Sequence, residues 1–206
     1  MKYDAIVVAA GKGKRAELGF NKILFKMKNG KTVIENVLDI FLDDKDCQKI
    51  ILVTDEEIVS KNKLVVVTKG GEERIDSVEN GLALVESEYV LIHDGARPFL
   101  NKKALEEVKE KLEEKDAVVL GRQAQETIKV VNGDKILSTI DRSHIFLAET
   151  PQGFKTSLIK ECYSQRGDVK FTDDASLLEA LGKEVYVVFD KYDNKKLTNK
   201  IDFENI

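Results

Sequence analysis

The sequence predicts an α/β fold built on a mostly parallel sheet. Three observations support this: short apolar, β-branched runs recur, amphipathic segments of helical period separate them, and a glycine-rich basic loop follows the first run. The runs Ala5–Ala9, Ile50–Thr54, Leu64–Thr68, Tyr89–His93 and Ala117–Leu120 are continuous rather than alternating. Bounded by charged or glycine-containing segments, they are expected to be strands buried on both faces. In TVIENVLDIFLDD, Val33, Val37, Ile40 and Phe41 share one helical face, with Thr32 as N-cap and Glu35 three residues on. In NKKALEEVKEKLEEK, Leu105, Val108 and Leu112 form the same stripe. Strand then helix, repeated, puts helices on both faces of a parallel sheet.

The pattern changes after Gly121. Thr127–Val131, an Asn132-Gly133-Asp134 turn and Ile136–Ile140 predict a β-hairpin, spanning about 122–146 with its flanks. A two-stranded ribbon is marginal alone in water. It either folds back on its own sheet or, the preferred expectation, grips a neighbouring molecule as a dimerisation arm. Helical pattern resumes at Thr156–Ser164 and Asp174–Leu181, and Glu184–Phe189 is a last strand. The segment TDDAS, Thr172–Ser176, is expected to start a helix, with Thr172 or Asp173 as cap and a structural role.

Bulk properties narrow the function. The 206 residues suit a single domain, 1–206, without repeats or a low-complexity linker. With 33 basic against 37 acidic residues the net charge is −4, so no nucleic-acid partner is expected and any basic function is local. Cys47 and Cys162 are far apart in sequence, which speaks against a zinc ribbon or disulfide scaffold and fits a reducing cytoplasm. No signal peptide or membrane span is expected, giving a cytoplasmic assignment.

The local basic function is in VVAAGKGKRAELGFNKILF, where Gly11 and Gly13 alternate with Lys12 and Lys14 and are followed by Arg15 and then Lys22. A P-loop requires a Gly-Lys-Ser/Thr ending that this loop lacks. Gly11 to Ala16 matches G-x-G-x-x-G/A, but a dinucleotide site also needs a ribose carboxylate about 20 residues on, and Asp55 lies roughly twice as far. That argues against a nicotinamide-dependent oxidoreductase. A nucleoside triphosphate, with about four charges against two for a pyrophosphate, better suits so many cations; Lys12 and Lys14 are also read as solvated loop lysines.

Together AAGKGKR…NK, GGEERIDSV, HDGARP, ETPQ, TDDAS and DNKKLT resemble the 2-C-methyl-D-erythritol 4-phosphate cytidylyltransferase family of the non-mevalonate isoprenoid pathway. The order and spacing agree over nearly the whole chain. The resemblance implies a Rossmann-like nucleotidyltransferase fold with a projecting β-arm, a homodimer, and CTP and a phosphorylated polyol as substrates. It implies that Ala9, Ala10, Gly11, Gly13, Arg15 and Lys22 cradle the triphosphate. Gly71, Glu72, Arg74 and Ser77 would line the cytosine and ribose pocket, with Gly95 also on the nucleotide side.

Asp94 ends an apolar strand where open α/β sheets bind ligands, and is the expected Mg²⁺ residue. Arg97 faces phosphate or supports its loop, while His93 is expected to be packed or hydrogen-bonded rather than a base. The resemblance places Thr127 and Arg142 across the dimer on the acceptor, with Thr150, Asp193 and Lys196 also on the substrate side. Departures from the family pattern are Ala16 for methionine, Asn21 for proline, which is expected to free the loop, Gly95 for alanine and Glu149 for leucine. A ribitol 5-phosphate cytidylyltransferase shares much of this signature and is the alternative; a non-catalytic nucleotide-binding module is less favoured. A phosphate monoester, with a second pKa of about 6, needs no base to attack phosphorus. The expected catalytic groups are therefore Arg15, Lys22 and Lys196 around a metal on Asp94.

Overall fold

The computed structural model describes residues 1–167, 171–204 and 206, with the Lys14 side chain outside the description. Its elements run β1 (Tyr3–Val8), α1 (Val33–Leu42), β2 (Cys47–Val53), β3 (Val65–Thr68), α2 (Arg74–Leu82), β4 (Tyr89–Asp94), α3 (Lys102–Glu114) and β5 (Ala117–Gln123). They continue with β6 (Ile128–Asn132), β7 (Lys135–Ile140), β8 (Phe146–Lys155), α4 (Thr156–Ser164), α5 (Asp174–Ala180) and β9 (Tyr186–Phe189). One seven-stranded sheet has the order β3-β2-β1-β4-β8-β5-β9. β1 pairs in parallel with β2 and β4, as do β2 with β3 and β5 with β9, whereas β8 is antiparallel to both neighbours. The sheet is thus mostly parallel, as expected.

Alternation along the strands divides the core into two layers. Ala5, Val7, Ile50, Leu52 and Leu91 pack with Val37 and Phe41 of α1 and Leu105, Val108 and Leu112 of α3. Ile6, Ile51, Val53, Val90 and Ile92 pack on the other face with α2, α4 and α5. Burying one such aliphatic or aromatic side chain contributes about 1.5–3 kcal/mol. α1 starts where expected: Glu35 N–H donates to Thr32 Oγ1 at 3.2 Å, and Thr32 N–H to Glu35 Oε2 at 2.6 Å.

One expectation needs correction, and two features go beyond the sequence reading. The run at Leu64–Thr68 forms an edge strand, with Val66 and Val67 exposed rather than buried on both faces. Strand β8, central in the sheet, carries no apolar run: Glu149, Thr150 and Gln152 are buried polar residues. Its ladder is irregular between Val119 and Gly121 of β5, opposite the segment containing Pro151, which has no N–H to donate. The hairpin does not fold back on the main sheet; β6 and β7 make a separate two-stranded sheet. Its strands fall within one residue of the runs predicted from sequence, and its flanks join β5, which extends to Gln123, and β8, which begins at Phe146. Among the described residues no helix is long and apolar enough to cross a membrane.

Candidate active site

Strand order reverses between β1 and β4, the place where open α/β sheets bind ligands. Val8, leading into the glycine loop, lies opposite Asp94 in register. A cleft of about 390 Å³ opens there. It brings together Ala9, Ala10, Gly11, Gly13, Arg15, Lys22, Gly71, Glu72, Arg74, Ser77, Asp94 and Lys196, which are widely separated in sequence. Lys12 also lines it.

The glycine loop is shaped by its own residues. Gly13 sits at φ +62°, in the left-handed region that an L side chain resists. Ala16 is fully buried against Val33, Leu197 and Phe203, so the loop is pinned to the C-terminal segment. Asn21, expected to loosen the loop, ties it instead. Its Nδ2 donates to Gly11 O at 3.2 Å and Glu56 Oε1 at 2.9 Å, while its Oδ1 accepts from Ile23 N–H at 3.3 Å. The last bond caps the 3₁₀ turn Lys22–Leu24 and orients Lys22. Lys22 Nζ donates to Leu197 O at 2.8 Å. Burial, with Lys196 and Arg15 nearby, lowers its pKa.

Asp94 is the anionic centre of a cationic ring. Lys196 Nζ is 2.7 Å from Oδ2, Arg97 Nε 3.5 Å from the same oxygen and Arg74 Nε 3.6 Å from Oδ1. Burial pushes the carboxyl pKa upward, but Lys196, Arg74 and Arg97 outweigh it and hold the group well below the usual range. Gly95, at the next position, allows β1 close: a Cβ there would stand 2.8 Å from Ala9 Cβ and 3.1 Å from Val8 O.

Behind Asp94 runs a fixed network. Asp94 N–H donates to Thr150 Oγ1 at 3.1 Å, and Thr150 Oγ1 lies 3.0 Å from His93 Nδ1. His93 Nε2 lies 3.0 Å from Arg97 O, an acceptor, which assigns the ring proton to Nε2 and makes Nδ1 accept from Thr150. His93 is fully buried, and burial pushes its pKa down to about 4. It is therefore neutral, with both nitrogens engaged, as a packed strand-end residue would be. Thr150 is also buried, and its hydroxyl oxygen holds the Asp94 N–H.

His93 also makes stability depend on pH. Its unfolded value is about 6.5, so between there and its folded value the unfolded chain binds a proton the native site refuses. This contribution to stability is fully present above pH 6.5 and is lost on acidification, at up to about 1.4 kcal/mol per pH unit. Denaturant unfolding at pH 7 and pH 5 should show a steeper loss in the wild type than in His93→Gln. Equal pH slopes would remove His93 from the effect.

The remaining candidates are placed unevenly. Arg97 Nη1 donates to Asn194 O at 2.7 Å, so it braces the 190–198 segment. Asn194, buried, also donates from Nδ2 to Thr150 O at 2.7 Å. Ser77 Oγ accepts from Gly71 N–H at 3.0 Å and donates to Glu73 O at 3.1 Å, leaving one lone pair for a ligand. Asp193, Thr127 and Arg142 are exposed, and none lines this cleft. Arg142 Nη1 is bonded to Gln125 O at the base of the hairpin. Asp55, the wrongly spaced ribose candidate, accepts from Gly70 N–H at 3.1 Å and stabilises a loop instead. Glu149, the unusual acid, is accommodated because its Oε1 lies 3.3 Å from Arg122 Nε, although burial still raises its pKa.

Two residues escaped the sequence reading. In TDDAS, Asp173 is the N-cap, as one expected option had it, but Asp174 is almost fully buried and bonds Arg74 Nη2 at 2.9 Å. Tyr163 of α4 donates to its other oxygen at 2.6 Å. Nothing in the local pattern distinguishes Asp174 from a first-turn acid chosen for the helix dipole, and its distance in sequence from Arg74 hides the pairing.

A basic, glycine-lined cleft at the switch point of a doubly wound sheet, with the buried Asp94 carboxylate held ionised among cations, defines a nucleotidyltransferase-type enzyme. A family model described as 2-C-methyl-D-erythritol 4-phosphate cytidylyltransferase matches residues 3–205. Proteins of that name from Geobacillus kaustophilus and Bacillus cytotoxicus are 40% and 41% identical, over 98% and 97% of this chain and 94% of each relative. The Francisella tularensis crystal structure of that name aligns with a TM-score of 0.86 at 30% identity, covering 99% of this chain and 97% of the other. The one from Thermus thermophilus aligns with 0.84 at 28%, covering 98% and 96%. The chain belongs to the 2-C-methyl-D-erythritol 4-phosphate cytidylyltransferase family.

Proposed function

We propose that the protein joins 2-C-methyl-D-erythritol 4-phosphate to CTP, giving 4-diphosphocytidyl-2-C-methyl-D-erythritol and pyrophosphate. Family membership supports the reaction. The observation that carries the mechanism is the ring of cations beside Asp94, next to a buried histidine unable to serve as base.

A phosphate monoester, with a second pKa of about 6, arrives already ionised at neutral pH. One of its oxygens attacks the α-phosphorus, and the bond from that phosphorus to the bridging oxygen of pyrophosphate breaks. No proton has to be removed. The barrier comes from repulsion between two anions and charge building on the leaving group. Arg15 and Lys22 flank the glycine loop where the triphosphate would lie, and Lys196 stands at Asp94 where the acceptor phosphate would approach. Backbone N–H groups of the loop orient the phosphates without adding net charge.

The donor set at the cleft suits Mg²⁺. Among the described residues no group of three or more His, Cys, Asp or Glu side chains could hold a metal unaided, but Mg²⁺ takes one or two carboxylates and fills its shell with phosphate and water. Asp94, kept ionised, would supply the protein ligand, and the ion would neutralise charge on the transferring phosphoryl group. Lys196 then has to exchange its place on Asp94 for the reacting phosphate.

The enzyme is proposed to act as a homodimer, with Thr127 and Arg142 of the hairpin reaching the partner's acceptor side. It is proposed to work in the cytoplasm, where its two free, buried thiols would stay reduced. The deciding assay supplies CTP and Mg²⁺ with methylerythritol phosphate or ribitol 5-phosphate and measures pyrophosphate release. Methylerythritol phosphate is expected to turn over at least about tenfold more efficiently. The opposite preference would reassign the acceptor.

A further inference from the structure

Arg74 is the first residue of α2 and is anchored from two sides. In the cleft its Nε faces Asp94 Oδ1 at 3.6 Å. From behind, Nη2 donates to Asp174 Oδ2 at 2.9 Å. Asp174 is 1% exposed, and its other oxygen accepts from the Tyr163 hydroxyl, itself 4% exposed, at 2.6 Å. A charged, buried chain thus runs from α4 through α5 and Arg74 to the Asp94 carboxylate.

Asp174 is itself held in place. It opens α5, whose N-cap Asp173 accepts from Ser176 N–H at 3.1 Å. Gln152 of β8 donates to Asp173 Oδ2 at 2.7 Å and accepts from Ala175 N–H at 3.1 Å. The carboxylate therefore stands on a braced helix end, where the dipole favours negative charge. Burying an ion pair is a weak route to stability, since an apolar pair of similar volume often does as well. What the pair does provide is direction: a guanidinium bonded at one edge keeps its plane fixed.

We propose that Asp174, backed by Tyr163, is a positioning residue for nucleotide binding. It fixes the Arg74 guanidinium against the cleft wall so that CTP meets a preset cation instead of a mobile one. The proposal rests on the nucleotide reading of the cleft and adds the buried relay that orients it. In Asp174→Asn the oxygen facing Tyr163 can be retained, while an amide N–H₂ would face the guanidinium N–H₂. Arg74 is then released without a change in side-chain size.

The test is CTP binding by calorimetry together with steady-state kinetics. Asp174→Asn is expected to raise both Kd and KM for CTP about tenfold, leaving kcat and the acceptor KM within about twofold. Tyr163→Phe, which removes only one oxygen, should shift the CTP terms about two- to threefold in the same direction, and it carries the test if Asp174→Asn fails to fold. In an Arg74→Met background Asp174→Asn should add nothing, because the residue it positions is gone. Equal shifts in both backgrounds, or a general loss spread over kcat and both KM values, would overturn the proposal. Wild-type protein that fails to bind CTP would overturn the nucleotide reading and the relay together. Wild-type binding with unaltered variants would overturn the relay alone.

Discussion

Lys22→Ala is expected to lower turnover by about two to three powers of ten while leaving the melting temperature unchanged or slightly higher. The two halves of that result have one origin. In the free protein the Lys22 ammonium is half-buried, and its pKa is lowered by burial and then by Lys196 and Arg15. Asp94 and Asp202 offset this only in part. The charge is thus held where the empty site gains little from it, and among the described residues its direct bond is to Leu197 O. A bound triphosphate reverses the balance, because each like-charged neighbour becomes part of a shell around a polyanion. Lys196→Ala should lose a comparable factor in rate but also reduce the melting temperature, since it breaks a 2.7 Å contact with a buried carboxylate. Turnover and thermal unfolding of both variants check this. Near-wild-type turnover in either would remove that lysine from the mechanism, and a large fall in stability for Lys22→Ala would contradict the repulsion among the three cations.

Much of the site was visible in the sequence because its parts are local. A glycine loop after a strand, an acid at a strand end and lysines beside both are short-range patterns, and strand polarity brings their ends together. What stayed hidden depends on partners distant in sequence. Strand β8 was not predicted, because its polar residues find partners only in the fold, Thr150 with His93 and Gln152 with Asp173. Asn21 looked like a lost proline, yet its backbone φ of −66° is proline-like and its amide adds bonds to Gly11 and Glu56 that proline cannot make. Asp174 looked like a helix-start acid until α5 brought it to Arg74. In each case the residue type was ordinary and the information lay in tertiary placement.

The hairpin provides the second large effect. Val131, Ile136 and Leu137 are 57%, 58% and 55% exposed, with Val130 and Ile140 also open. An isolated two-stranded ribbon is marginal in water, and these side chains gain burial only from another surface. If the proposed homodimer forms through this arm, Leu137→Asp should shift the protein toward monomer in sedimentation and reduce activity. The sharper measurement mixes two separately inactive proteins, Arg142→Ala and Lys22→Ala. If the arm acts across a two-fold dimer, each hybrid has one site with both lesions and one with neither. Random exchange makes half the dimers hybrid, so activity should recover to about a quarter of wild type. The recovery should vanish when Leu137→Asp is added to both chains. No recovery, with subunit exchange verified by tagged co-purification, would place Arg142 outside the partner's site and leave the cleft complete within one chain.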